Sequence, residues 1–240
     1  MRKFIFTILF LICLGVFGYS AFQLYQIYSI KHAVNNEVQE LEKTIKKEDD
    51  IYEVDWDSLK EKNSDIIGWI LMPDSEISFP IVQGQDNSYY LNHTYLKEEN
   101  RMGSIFLNEA NQSDFSDVNS IIYGHSVDTG GMFTSLKEFK DETYYQDHYY
   151  FYLLTPQQNY KCSIVCFSQV QDGCDYYLTN FDITQMMSMY QNTATHYTQL
   201  DSVEKVVTLS TCDLDYGGHS SYRFVLVASL EKYDGLIKVA

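Results

Sequence analysis

Cys212 closes the run Val206-Val207-Thr208-Leu209-Ser210-Thr211, whose β-branched and apolar residues predict a strand buried on both faces. A second strand is predicted over residues 222–230, where the even positions are apolar or aromatic and Arg223 points away from that core face. If the two pair antiparallel, the midpoint falls between Gly217 and Gly218, the best turn in the connecting loop, and Cys212 faces Arg223. A thiolate attacking a carbonyl needs a positive donor close by, to lower its pKa and to hold the oxyanion that forms. Arginine occurs only at positions 2, 101 and 223, so one on a strand beside a cysteine points to use of its planar fork. A base is offered by His125, where Ile121-Ile122-Tyr123 gives way to a turn containing Gly124. His219 is nearer to Cys212 in sequence, but it sits in the Gly-Gly loop.

Each of these residues has a plainer reading, since most cysteines on strands are buried structural thiols. The other cysteines supply contrast. Cys162 and Cys166 lie four apart on a predicted strand, about 13 Å at about 3.3 Å per residue, which is too far for a disulfide. No histidine or carboxylate falls at ligand spacing beside them, so they read as core residues rather than a metal site. Cys13 lies in an apolar segment and Cys174 has no assigned role.

The elements that must position these groups are short. Strands are predicted over residues 68–72, 79–83, 104–108, 120–123, 149–154 and 160–169, followed by the final pair, and this spacing predicts a closed barrel or a sandwich. A short helix is predicted over 57–62. Another starts at Asp182 with Gln185 in a capping-box-like arrangement, and presents Ile183, Met186, Met187 and Tyr190 on one face. Val34, Val38, Leu41 and Ile45 recur at helical spacing in a polar stretch, which fits either packing on the domain or a free stalk. The apolar run from Phe4 to Phe22 is long enough to span a bilayer core, and Arg2-Lys3 ahead of it puts the N-terminus in the cytoplasm. No A-x-A-like cleavage site follows, so an uncleaved anchor is expected rather than a signal peptide. The organisation expected is a cytoplasmic tip and anchor over 1–30, a helical extension over 31–54 and a catalytic domain over 55–240 outside the cell. The net charge of -16 argues against nucleic acid and against a basic membrane-surface patch.

Together the motifs resemble a known family. Thr208-Leu209-Ser210-Thr211-Cys212 looks like the sortase cysteine signature, Tyr123-Gly124-His125 resembles the sortase histidine segment, and Arg223 resembles the strand arginine. Class B sortases are matched by Gly68-Trp69-Ile70, Phe79-Pro80-Ile81-Val82-Gln83-Gly84, Asp86-Asn87 and Tyr89-Tyr90-Leu91-Asn92-His93, and then by Gly103-Ser104-Ile105-Phe106 and Met132-Phe133. The resemblance covers residues from about 55 to the C-terminus, and several ordered motifs are far more specific than any one.

The resemblance implies a mainly β, closed sortase-type barrel with N-terminal helices and one helix before the cysteine strand. It implies a membrane-anchored, cell-surface cysteine transpeptidase with catalytic His125, Cys212 and Arg223. Asn92, Leu96, Tyr123 and Ser210 match residues lining the family's substrate groove. The partners implied are secreted proteins with a C-terminal sorting motif cleaved after threonine, and an amine of the cell wall or its precursor. No metal or organic cofactor is implied, and the class A calcium site has no clear counterpart. The competing readings are a secreted cysteine peptidase, a pilus-assembling sortase, an L,D-transpeptidase and an anchored binding module. L,D-transpeptidases place Ser-His-Gly before their cysteine, whereas Ser210-Thr211 stands here.

Overall fold

The structure is a computed structural model describing residues 2–48, 51–127, 130–216 and 220–238. Helix α1 (Arg2–Glu42) is followed by a hairpin of β1 (Ile45–Glu48) and β2 (Ile51–Val54), then by α2 (Trp56–Lys62). The barrel strands are β3 (Ile66–Leu71), β4 (Ser78–Val82), β5 (Phe106–Leu107), β6 (Asn119–Tyr123), β7 (Tyr150–Leu154) and β8 (Tyr160–Gln171), with β10 (Val206–Cys212) and β11 (Tyr222–Ser229) completing the set. Short strands β9 (His196–Tyr197) and β12 (Glu231–Lys232) pair with β8. Helix α3 (Glu142–Asp147) precedes β7, and α4 (Ile183–Thr193) lies between β8 and β10.

The sheet runs β11-β10-β6-β5-β4-β3-β7-β8, and β8 pairs back on β11, so the eight strands close into a barrel and leave no open edge along that ring. The predicted strands fall where these elements lie, with ends shifted by one or two residues. Burial is two-sided around the final hairpin. Val207, Leu209, Phe224, Leu226 and Ala228 belong to the main core, whereas Val206, Val225 and Val227 belong to a second cluster with Met186 and Tyr190 of α4. Helix α4 is capped by the Asp182 carboxylate, which accepts from the backbone N–H groups of Thr184 and Gln185.

Two features differ from expectation or were open. The segment expected to be helical to residue 54 is helical only to Glu42. Thr44 stops it, because both its N–H and its hydroxyl donate to the carbonyl of Leu41, and Ile45 then pairs with Val54 in the hairpin. The C-terminal half of α1 packs on the domain: Val34, Val38 and Leu41 are buried, and the buried Glu37 carboxylate accepts from the backbone N–H of Leu96. The N-terminal half has its large apolar side chains exposed from Phe4 to Tyr28, and among the described residues this is one helix long and apolar enough to cross a membrane.

Candidate active site

Strand register sets the geometry. In the antiparallel pairing of β10 with β11, Cys212 is directly opposite Arg223. On its other side β10 runs parallel to β6, with Ser210 beside Tyr123. Side chains two apart on a strand share a face. His125 follows Tyr123 by two residues as Cys212 follows Ser210, so the register carries both toward the same end of the barrel. The Gly124 N–H donates to the Ser210 carbonyl, which extends the pairing one residue beyond β6. A Cβ at Gly124 would stand 2.4 Å from Ile105 Cδ1 and 2.7 Å from Phe133 Cδ2, so only glycine lets the chain leave the strand here.

These side chains line a cavity of about 250 Å³, together with Asn87, Leu91, Phe106, Asp172 and Thr211. Cys212 is half-buried at its wall. The Nε2 of His125 lies 2.7 Å from the carbonyl of Leu91. A carbonyl only accepts, so Nε2 carries the proton and Nδ1 is left to exchange one. Leu91 is itself held from below: Ser104 N–H donates to the Tyr90 carbonyl, and Gly103 adopts φ +61 where a Cβ would meet the carbonyl oxygens of Tyr90 and Leu91 at 2.5 and 2.7 Å.

Arg223 Nη1 donates to the carbonyls of Ser220 and Tyr222, and Nη2 donates to Asp172 Oδ2 at 2.9 Å. The guanidinium is mostly covered, its side chain 20% exposed, while that of Asp172 is 54% exposed. On the facing wall the Tyr123 hydroxyl accepts from Asn108 Nδ2, and Asn108 Oδ1 accepts from Asn87 Nδ2. Tyr123 stacks on Tyr177 with ring centres 6.3 Å apart, and the Tyr177 hydroxyl shares a hydrogen bond of 2.8 Å with the Ser210 hydroxyl. Burial holds both phenols above the usual tyrosine range, so they act as neutral hydrogen-bonding groups near neutral pH.

The structure therefore brings together His125, Cys212, Arg223, Tyr123 and Ser210. It does not bring Asn92 or Leu96 into the same cavity: Asn92 is exposed just after the turn that ends at Leu91, and Leu96 lies on the loop tied to α1. The Gly217-Gly218 turn and His219 lie outside the described residues. Sequence reasoning passed over Leu91, Asp172 and Tyr177. Leu91 acts through its backbone, which no residue type signals. Asp172 stands directly before Gly173, an Asp-Gly pair that signals a turn rather than a site wall, and Tyr177 lies four residues beyond that turn.

Cys162 and Cys166 are both buried, and burial pushes both thiols up, which leaves them poor nucleophiles. Each packs in a different cluster, Cys162 in the main core and Cys166 in the cluster under α4. The alternation is broken by a bulge in β8, which pairs Val227 with Cys166 but Ala228 with Ile164.

Comparison with known proteins agrees with this geometry. Residues 70–231 match the family described as Sortase domain. The chain is 34% identical over 163 residues to Sortase B of Listeria monocytogenes, covering 65% of this chain and 66% of that relative's length. It is 27% identical over 242 residues to Sortase B of Staphylococcus aureus, covering 97% and 98%. Sortase B from Bacillus anthracis superposes with a TM-score of 0.74 at 28% identity, covering 86% of this chain and 100% of that one. A Streptococcus pyogenes class B sortase involved in pilus biogenesis superposes with a TM-score of 0.66 at 28% identity, covering 74% and 98%. With the barrel, the register and two thirds of the length in agreement, the chain belongs to the sortase family of cysteine transpeptidases, in its class B branch.

Proposed function

We propose that this chain cleaves a C-terminal sorting motif after its threonine and transfers the protein to an amine of the cell wall. The observation that carries the reading is the strand register that sets Cys212 against Arg223, with His125 on the same cavity. The Cys212 thiolate attacks the threonine carbonyl, and the negative charge that develops on oxygen is met by N–H donors of Arg223. As the tetrahedral species collapses, the carbon–nitrogen bond breaks and His125, protonated on both ring nitrogens, gives its Nδ1 proton to the departing amine. A thioester on Cys212 remains. The acceptor amine attacks it, His125 takes the amine's proton at Nδ1, and the thiolate leaves. The Leu91 carbonyl keeps Nε2 protonated throughout, so the ring exchanges protons from one side.

Tyr123 and Ser210 would line the cavity's contact with the motif, while Asn92 and Leu96, exposed beyond Leu91, would meet peptide residues farther along. The apolar part of α1 would span the membrane with the N-terminus cytoplasmic and the barrel outside. The test is turnover of a sorting peptide, with and without an added amine nucleophile such as hydroxylamine. Wild type should give amine adduct in preference to free acid, and Cys212→Ala should give neither. Free acid alone would identify a peptidase, and turnover by Cys212→Ala would remove the cysteine from the mechanism.

A further inference from the structure

Arginine has five N–H donors, and here three are committed. Both Nη1 protons go to main-chain carbonyls, of Ser220 and Tyr222, and one Nη2 proton goes to Asp172 Oδ2. Among the described residues, Nε–H and the second Nη2–H have no partner. The two carbonyls hold Nη1, and among the described residues the Asp172 carboxylate alone holds Nη2. Asp172 is placed for this by the strands that close the barrel. Gln171, the last residue of β8, pairs with Tyr222, and the Asp172 N–H donates to the Ser221 carbonyl at 2.8 Å. The chain then turns at Gly173, with φ +73, into the segment that carries Tyr177.

The pairing has two opposed consequences. A carboxylate at 2.9 Å fixes the long side chain of Arg223, so the two remaining donors hold a constant direction. The same carboxylate offsets part of the positive charge that would otherwise favour a thiolate in the cavity. Both charges reach across the cavity: Asp172 raises and Arg223 lowers the proton affinity of the phenols of Tyr123 and Tyr177. A partner serving only thiolate formation would be placed the other way, with no anion on the arginine.

We propose that Asp172 is a positioning residue for the transfer reaction, holding the Arg223 guanidinium so that Nε–H and the second Nη2–H are presented to the reacting carbonyl oxygen. This rests on the oxyanion reading of Arg223. Its signature is a split between turnover and thiol reactivity, which a structural role would not produce. Asp172→Asn keeps the shape and removes the charge, and the residue is exposed enough that folding should be kept.

In the full chain in detergent, turnover of a sorting peptide and the rate of Cys212 alkylation by iodoacetamide at pH 7 are measured for wild type, Asp172→Asn, Asp172→Glu and Arg223→Ala. Asp172→Asn should lower kcat about tenfold, with KM within about twofold, as expected when a reacting group is held less well. Its alkylation rate should rise about two- to fivefold, the size of a partly exposed ion pair. Asp172→Glu should recover most of the turnover. Unchanged or increased turnover in Asp172→Asn, or a fall in both measurements together, overturns the proposal. Arg223→Ala separates the two ideas: if it keeps turnover, the oxyanion reading itself fails, whereas if it collapses while Asp172→Asn is unaffected, only the role of Asp172 fails.

Discussion

Arg223 carries both a charge and a fork, and substitution separates them. If charge alone serves Cys212, Arg223→Lys keeps most of the activity, because lysine carries the same charge. If directed hydrogen bonds hold the oxyanion, lysine cannot occupy the Ser220 and Tyr222 carbonyls, bind Asp172 and still present two parallel donors. The expected result is that lysine is nearly as poor as alanine, with a loss of at least about 2.7 kcal/mol in the barrier, the usual cost of one oxyanion donor. Steady-state turnover of one peptide by the three enzymes decides it, and a lysine enzyme near wild type would leave charge as the explanation. Residue identity was legible here because arginine is rare in this chain and sits at one strand position. The partners of Arg223 were not, since two are backbone carbonyls and the third, Asp172, follows the end of β8, 51 positions away.

Among the elements, α1 joins an exposed apolar N-terminal half to a C-terminal half packed on the domain, where it holds the Leu96 loop a few residues past the Leu91 carbonyl that meets His125. Its buried face meets the core through Val34, Val38 and Leu41, and Glu37 receives the Leu96 N–H at 2.8 Å. Burial is the main cause that raises the Glu37 carboxyl above its ordinary value, with Glu98 nearby adding to it; hydrogen bonds from Thr94, Leu96 and Tyr95 pull the other way. A carboxyl raised on folding binds its proton more tightly in the folded chain, so stability falls as pH rises from the ordinary carboxylate value through the raised one, and the full cost is present above it. Glu37→Gln keeps an acceptor for Leu96 and removes the ionisation. Denaturation of both proteins at a series of pH values should show Glu37→Gln gaining on wild type as pH rises through that window, with the difference gone at its acid end. A difference independent of pH would mean that Glu37 carries no such cost. Helical spacing in the sequence identified this face. What it packs against could not be read, because the spacing describes a stripe and not its partner.

For the whole molecule, the chain pairs a barrel of high acidic charge with one exposed apolar helix end. If the apolar segment is an uncleaved anchor with Arg2-Lys3 inside, protease added to intact protoplasts digests the barrel, and the barrel stays with the membrane fraction until about the first 30 residues are removed. A protected barrel would reverse the orientation, and a free mature protein in the medium would show cleavage.

Local physics was enough for much of this protein. The β-branched run before Cys212, the alternation around Arg223 and the Asp182 cap are determined by residue type at short range, and so the strands, α4 and the Cys212–Arg223 opposition follow from the sequence alone. The tertiary structure decided what depends on distant pairing. Closure of β8 on β11 brings Asp172 to Arg223, and the parallel register of β6 with β10 brings His125 to the end that holds Cys212. The bulge in β8 sends Cys162 and Cys166 to different cores although they are four apart, because one extra residue reverses which face a strand presents. Asn92 and Leu96 do not line the cavity, and the segment that carries them is held by distant partners, Ser104 at the Tyr90 carbonyl and Glu37 of α1 at the Leu96 N–H, which no local signal announces.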